Sequence, residues 1–211
     1  MDRRKRKSRK AILDACIALT KEKDFQQITV HEIVEHADLN RGTFYLHFVD
    51  KVDMMKSFET EMLERIEEVL LTNIPEKPDL ENFIQSRYDT IVQILRCYEE
   101  NKELLQFLII SGNSVSFQTQ LREKIKEIML DYIFPKLVID SNDIPFDLVA
   151  MIFTSISLNL AQYAYEAEAS LDIEAHAQFL INIMVQGPLK AFGLLQDSFY
   201  ESLDKIQIKN N

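Results

Sequence analysis

The segment from Ile28 to Lys51, ITVHEIVEHADLNRGTFYLHFVDK, constrains the fold more than any other stretch, because it spells two short helices joined by a tight turn. Thr29 precedes an apolar-periodic run and Glu32 follows three residues later, the reciprocal pattern that satisfies orphan amides at a helix start. Ile33, Val34 and Ala37 supply that helix with an apolar face. Asp38, Leu39 and Asn40 break it, and Asn40 is placed to cap a second helix that opens with Arg41, Gly42 and Thr43. At about 3.6 residues per turn, Phe44 and Phe48 fall on one side of this second helix and Gly42, Thr43 and Leu46 on the other. Arg41, Tyr45 and His47 flank the outer side. Two rings thus anchor the helix to a small core and leave a mostly polar side free to enter a DNA major groove, roughly 12 Å wide. A glycine within a helix costs about 1 kcal/mol relative to alanine, and at Gly42 it would let backbone amides come close to a phosphate.

These residues resemble the DNA-binding head of the TetR family of bacterial transcriptional regulators. The family pattern is met by Thr29, Ala37, Gly42, Thr43, Phe44, Tyr45, His47, Phe48 and Lys51, over about the first quarter of the chain. Asn40 stands where serine is common and Val34 where alanine is usual. The resemblance implies a phosphate contact by Thr29, phosphate or base contacts by Tyr45 beside Thr43 and His47, and a DNA-backbone contact by Lys51 at the start of the next helix. Arg41 is the best candidate for a base edge, since a guanidinium pairs bidentately with guanine O6 and N7. Loss of Lys51 should therefore weaken all DNA sequences alike and flatten the salt dependence, whereas loss of Arg41 should relax specificity. Simpler roles stand beside these: Thr29 as a helix cap only, Tyr45 as cover for an apolar edge, Lys51 as a solvated lysine.

Charge is divided unevenly along the chain. The whole carries 24 Lys plus Arg against 34 Asp plus Glu, a formal net of -10, yet residues 1–56 hold 12 basic and 9 acidic side chains and the rest 12 and 25. With a Debye length of about 8 Å at physiological salt, acidic groups on a distant body are screened while basic groups at an interface act in full. The densest basic run, Arg3, Arg4, Lys5, Arg6 and Lys7, continuing through Arg9 and Lys10, reads as a flexible arm that could follow the DNA backbone or enter the minor groove. A solvated tail is the alternative.

Beyond the head the patterning is helical throughout, with no strand signal, so the chain reads as all-α. A three-helix head, residues 1–50, precedes a larger helical bundle, residues 51–211, with about nine helices in total. Helix one is expected over 8–23, with Ile12, Ala15, Cys16 and Leu19 on one stripe. A connecting rod from Lys51 through Leu70 should end before a Pro75 and Pro78 linker, and Asp79 should cap the next helix, as far as Asn101. Further helices are expected over 102–110, 116–134, 145–168 and 173–195, punctuated by Gly112 and Pro135. Hydrophobic residues make up 46%, yet no stretch reaches the roughly 20 uninterrupted apolar residues of a membrane span. No secretory signal is read, because the run after the basic segment is interrupted by Asp14 and then by Lys21, Glu22 and Lys23.

Cys16 and Cys97 are far apart in sequence and fit packed thiols in a reducing cytoplasm. His31, His36, His47 and His176 lack the spacing of a helical zinc site, so no metal or other cofactor is expected. Without a phosphate loop, nucleophile elbow or triad, an enzyme has no support. The last two helices are apolar enough to suggest a homodimer: Phe153, Ile156 and Leu160 on one, Leu180, Ile183 and Met184 on the other, with Gly187 allowing close approach. TetR-like regulators bind small molecules in the middle of the body, which here would place Tyr88, Tyr98, Phe107 and Phe117 around an effector, with ordinary core packing as the alternative. The stretch from Asn101 to Glu127 faintly resembles the subgroup that includes regulators of dihydroxyacetone kinase genes. The expected function is a dimeric repressor of a near-palindromic double-stranded operator, released by a small-molecule effector and acting away from membranes. A helical small-molecule-binding protein and a protein-docking co-regulator are the alternatives.

Overall fold

Apolar periodicity is realised as nine α-helices among the residues that the computed structural model describes, 3–72, 74, 80–110, 114–133, 135, 145–166 and 172–187. They are α1 (Arg3–Thr20), α2 (Val30–His36), α3 (Arg41–Tyr45), α4 (Lys51–Thr72), α5 (Leu80–Glu100), α6 (Lys102–Ile110), α7 (Ser114–Ile128), α8 (Phe146–Glu166) and α9 (Ile173–Gln186). A 3₁₀ turn, Phe25–Gln27, lies between α1 and α2, and a π-helical turn, Met129–Ile133, extends α7. Pro75, Pro78, Asp79, Gly112 and the stretch expected to be helical after Gly187 lie outside the described residues.

The basic run is not a flexible arm: Arg3 to Lys7 are exposed but form the first turns of α1. Arginine and lysine are good helix formers, and the turns are continuous with an anchored helix, so propagation costs little. The Ser8 hydroxyl donates back to the carbonyls of Arg4 and Lys5, in the preceding turn, at 3.1 and 3.2 Å.

The rod α4 organises the rest. Its Met54, Met55, Phe58, Met62, Leu63 and Ile66 are buried, and it packs against α5, α6 and α7. Helix α1 packs on both α2 and α6, so the apolar cluster runs unbroken from Ile12 through Phe48 and Phe58 into Phe107 and Phe117. Rings mark the passage from head to body: Phe48 to Phe58 at 5.6 Å, Phe25 to Phe107 at 5.6 Å and Phe58 to Phe107 at 6.4 Å. A polar chain runs beside it. Arg9 donates to Ser57 Oγ and Glu61 Oε2, both at 2.9 Å, while Arg65 donates to the other Glu61 oxygen and to Asn101 Oδ1. Buried Glu59 faces α7, where Gln120 donates to it at 3.2 Å, and burial raises its pKa.

The structure places the expected pocket and interface side chains of the body as follows. Tyr98, Phe107 and Phe117 are fully buried and Tyr88 is half-buried, which matches the core-packing alternative for these rings. A cleft of about 440 Å³ lies instead between α1, α4 and the α5–α6 turn, walled by Arg6, Arg9, Lys10, Glu61, Arg65 and residues 99–104. On the terminal helices, Phe153 and Leu160 pack against the core, and Ile156, Leu180 and Ile183 are half-buried. The outward apolar side chains are Leu148, Met151, Ile152 and Tyr163 on α8 and Phe179 on α9, together with the expected Met184, each 40–52% exposed. Gly187 has a local role within the chain. It adopts φ 78° and its amide donates to Ile183 O at 2.9 Å, so it terminates α9.

Candidate nucleic-acid interface

The start of α2 is held by Thr29 and Glu32 as their spacing demands. Thr29 Oγ1 accepts from the Glu32 amide at 3.2 Å, and the Thr29 amide donates to Glu32 Oε2 at 2.8 Å. Lys23 closes on the same carboxylate, which is held at a pKa of about 2 by that bond first and then by the Thr29 amide and hydroxyl. The Thr29 hydroxyl also donates to Glu32 at 2.8 Å, so its donor and an acceptor lone pair are both used inside the cap.

The turn comes next. Helix α2 ends at Ala37, and Asp38 takes φ 52°, a left-handed conformation that aspartate tolerates better than most residues. The Leu39 amide returns to Val34 O at 2.8 Å, and Asn40 Oδ1 then accepts from the Thr43 amide at 2.8 Å and hydroxyl at 3.0 Å, starting α3. Gly42 has a local reason: a Cβ there would sit 3.2 Å from that same Asn40 oxygen and press on the cap.

Helix α3 stands on its aromatic footing. Phe44 and Phe48 are 0% and 2% exposed with ring centroids 5.5 Å apart, and Phe44 also meets Tyr45 edge-on at 5.5 Å. Arg41, Gly42, Tyr45 and Leu46 are exposed, and the Arg41 guanidinium donates to the Tyr45 hydroxyl at 3.4 Å. Of the outward set expected from the helical wheel, Arg41, Gly42, Tyr45 and Leu46 are therefore accessible, while Thr43 and His47 are half-buried.

Two members of the expected set have duties inside the protein. Half-buried His47 places Nε2 2.7 Å from Ser8 Oγ, fastening the end of α3 to α1. Burial lowers its pKa, and Arg9 and Lys5 lower it further. Because Ser8 is fixed there, the exposed run Arg3 to Lys7 begins next to the end of α3 and reaches about 7.5 Å beyond at 1.5 Å per residue.

Lys51 departs most from its expected role. Its ammonium donates to the carbonyls of Phe25 at 2.7 Å, Gln26 at 3.0 Å and Ile28 at 2.8 Å, and lies 4.7 Å from the centre of the Phe25 ring. All three N–H donors are committed to these carbonyls, so Lys51 ties the rod to the α1–α2 connection.

Sequence reasoning missed Arg9, whose guanidinium sits 5.0 Å from the Phe48 ring centre and 4.7 Å from that of Phe58. No local signal marks it, because its partners are 39 to 52 residues away. The start of α4 was legible but passed over. Asp50 Oδ1 accepts from the Asp53 amide and Asp53 Oδ2 from the Val49 amide, both at 2.8 Å, a reciprocal cap built from two aspartates.

Residues 12–58 match the family model for bacterial regulatory proteins of the tetR family. An HTH-type transcriptional regulator of Staphylococcus aureus (strain USA300) is 22% identical over 84% of this chain and 92% of its own length. The HTH-type transcriptional regulator YxbF of Bacillus subtilis (strain 168) is 26% identical over 48% of this chain, a match that spans 26% of its own length. Among solved structures, the TetR-family regulator PfmR of Thermus thermophilus aligns with TM-score 0.60 at 14% identity, over 83% of this chain and 97% of that one. NalD of Pseudomonas aeruginosa, the secondary repressor of the MexAB-OprM multidrug efflux pump, aligns with TM-score 0.56 at 18% identity, over 88% and 98%. These two share the fold. With the helix-turn-helix geometry of α2 and α3, the match over residues 12–58 makes the head of this chain similar to the DNA-binding head of bacterial regulatory proteins of the tetR family.

Proposed function

We propose that the chain is a homodimeric repressor whose two α3 helices enter successive major grooves, about 34 Å apart, on a near-palindromic operator. The observation that carries this reading is the accessible face of α3, with Arg41, Tyr45 and Leu46 exposed over fully buried Phe44 and nearly buried Phe48. Arg3 to Lys7 flank it as a helical extension able to follow the DNA backbone. Thr29, Gly42, Thr43 and His47 sit around that face and shape it, with their hydrogen bonds largely spent on caps and on α1. Residues 1–50 act as the DNA-binding unit and 51–211 as the effector and dimerisation unit, in the cytoplasm where the operator lies.

Selection of bound duplexes from a random pool at about 150 mM salt, followed by footprinting, tests this reading. A palindromic site protected on one side of the duplex supports it, and failure to enrich any sequence sinks it. On the selected site, Arg41→Ala should weaken binding by about 1–3 kcal/mol and relax preference at one base pair per half-site. An equal loss on random DNA would remove Arg41 from base reading.

The proposed dimer pairs through the outward side of α8 and α9, a reading supported by the exposure of Leu148, Met151, Ile152, Tyr163 and Phe179. Exposed apolar side chains at this density are uncommon on a monomer, and a second copy of the same helices buries them symmetrically. Ile152→Asp combined with Phe179→Asp should shift the mass in light scattering from dimer to monomer with unchanged helicity. A wild-type mass for that variant would move the interface elsewhere. The repressor sense follows the likeness to NalD. Release by a small molecule requires a conformer in which the Tyr98, Phe107 and Phe117 core opens, and the shift cannot exceed the ligand's differential affinity for the two states.

A further inference from the structure

The end of the reading helix carries hydrocarbon where a DNA-facing edge is usually polar. Leu46 and Val49 are 78% and 79% exposed and Val52 is 58% exposed, at intervals of three residues where α3 gives way to α4. The polar groups interleaved with them are committed elsewhere. Asp50 and Asp53 cap α4, His47 is bonded to Ser8, and the Lys51 ammonium is turned toward three carbonyls. This apolar edge continues directly from exposed Arg41 and Tyr45.

The major groove offers one prominent apolar group, the C5 methyl of thymine. We infer that Leu46, supported by Val49, reads thymine methyl groups and so selects A·T pairs within each operator half-site. Arg41 and Leu46 are five residues apart, about 7.5 Å along a helix axis, which places the methyl contact within about two base pairs of the base that Arg41 pairs. The contact rests on the DNA-reading role proposed above and adds to it a sequence preference independent of hydrogen bonding.

The test uses the full chain and the selected duplex, with each thymine of one half-site replaced singly by deoxyuridine, which deletes only the methyl group. Wild type should lose about fourfold in affinity at one or two positions, the worth of one buried methyl-sized group. Leu46→Ala should bind the unmodified site more weakly and no longer distinguish thymine from deoxyuridine there, while Arg41→Ala keeps the distinction. Leu46 is exposed, so circular dichroism and melting of the variant should match wild type. Tight binding with indifference to every deoxyuridine overturns the inference and leaves the regulator reading intact. So does a methyl effect of the same size in Leu46→Ala, which would trace it to DNA shape. Enrichment of no duplex at all overturns both.

Discussion

Phe44→Ala should cost about 3–5 kcal/mol of stability and abolish operator binding, the largest effect expected from any single change in the head. Phe44 is 0% exposed, with Phe48 5.5 Å away on one side and the Tyr45 ring at its edge. Truncation leaves a hollow that these neighbours fill only in part. Helix α3 runs only from Arg41 to Tyr45, far too short to persist without tertiary packing. Losing the ring therefore removes the support of the reading face as well as apolar burial. The chain contains no tryptophan, so denaturant unfolding followed by far-ultraviolet dichroism, with hydrogen exchange to localise the change, is the suitable measurement. Because the buried cluster is continuous from head to body, the midpoint of the whole transition should fall. Wild-type stability together with retained operator affinity would refute the view of Phe44 as the footing.

The second large effect concerns Lys51. Replacing it with methionine keeps an unbranched chain of similar length but strips donors from the carbonyls of Phe25, Gln26 and Ile28. Hydrogen bonds to a charged group contribute about 1.5–3 kcal/mol, and the partly exposed carbonyls recover some loss from water, so a net cost of about 2–3 kcal/mol is expected. Burial also pulls the Lys51 pKa below the usual lysine value, with Cys16 and Glu32 acting in the opposite direction. Operator binding should weaken through misplacement of the head, with the slope of log affinity against log salt unchanged. A phosphate-contacting lysine behaves differently: its loss reduces that slope by about one contact's worth. A flattened slope with unchanged stability would therefore return Lys51 to the DNA interface. The two roles that a lysine can play at this position are thus separable by experiment.

Much of the head was legible because its determinants are local. The Thr29–Glu32 cap, the Asn40 cap of α3 and the inward placement of Phe44 and Phe48 depend on residues three or four apart, a distance over which helix geometry alone decides who meets whom. The buried stripe of α4 was legible for the same reason. The site was less so. Arg41 and Leu46 are exposed as their wheel positions demanded, whereas His47 and Lys51 are directed by partners 39 and 23 to 26 residues away.

What the sequence determined by itself was the helical class, the helix-turn-helix and the exposed side of α3, since each follows from short-range periodicity and capping. Tertiary structure decided where long cationic side chains end, and it made the basic run a helix extension. It also selected which apolar side of α8 and α9 is core. Those helices are apolar on more than one side, so periodicity leaves their orientation open until α5 and α7 pack against them. A flexible side chain likewise settles only when a distant backbone presents its acceptors, and no spacing rule records that meeting.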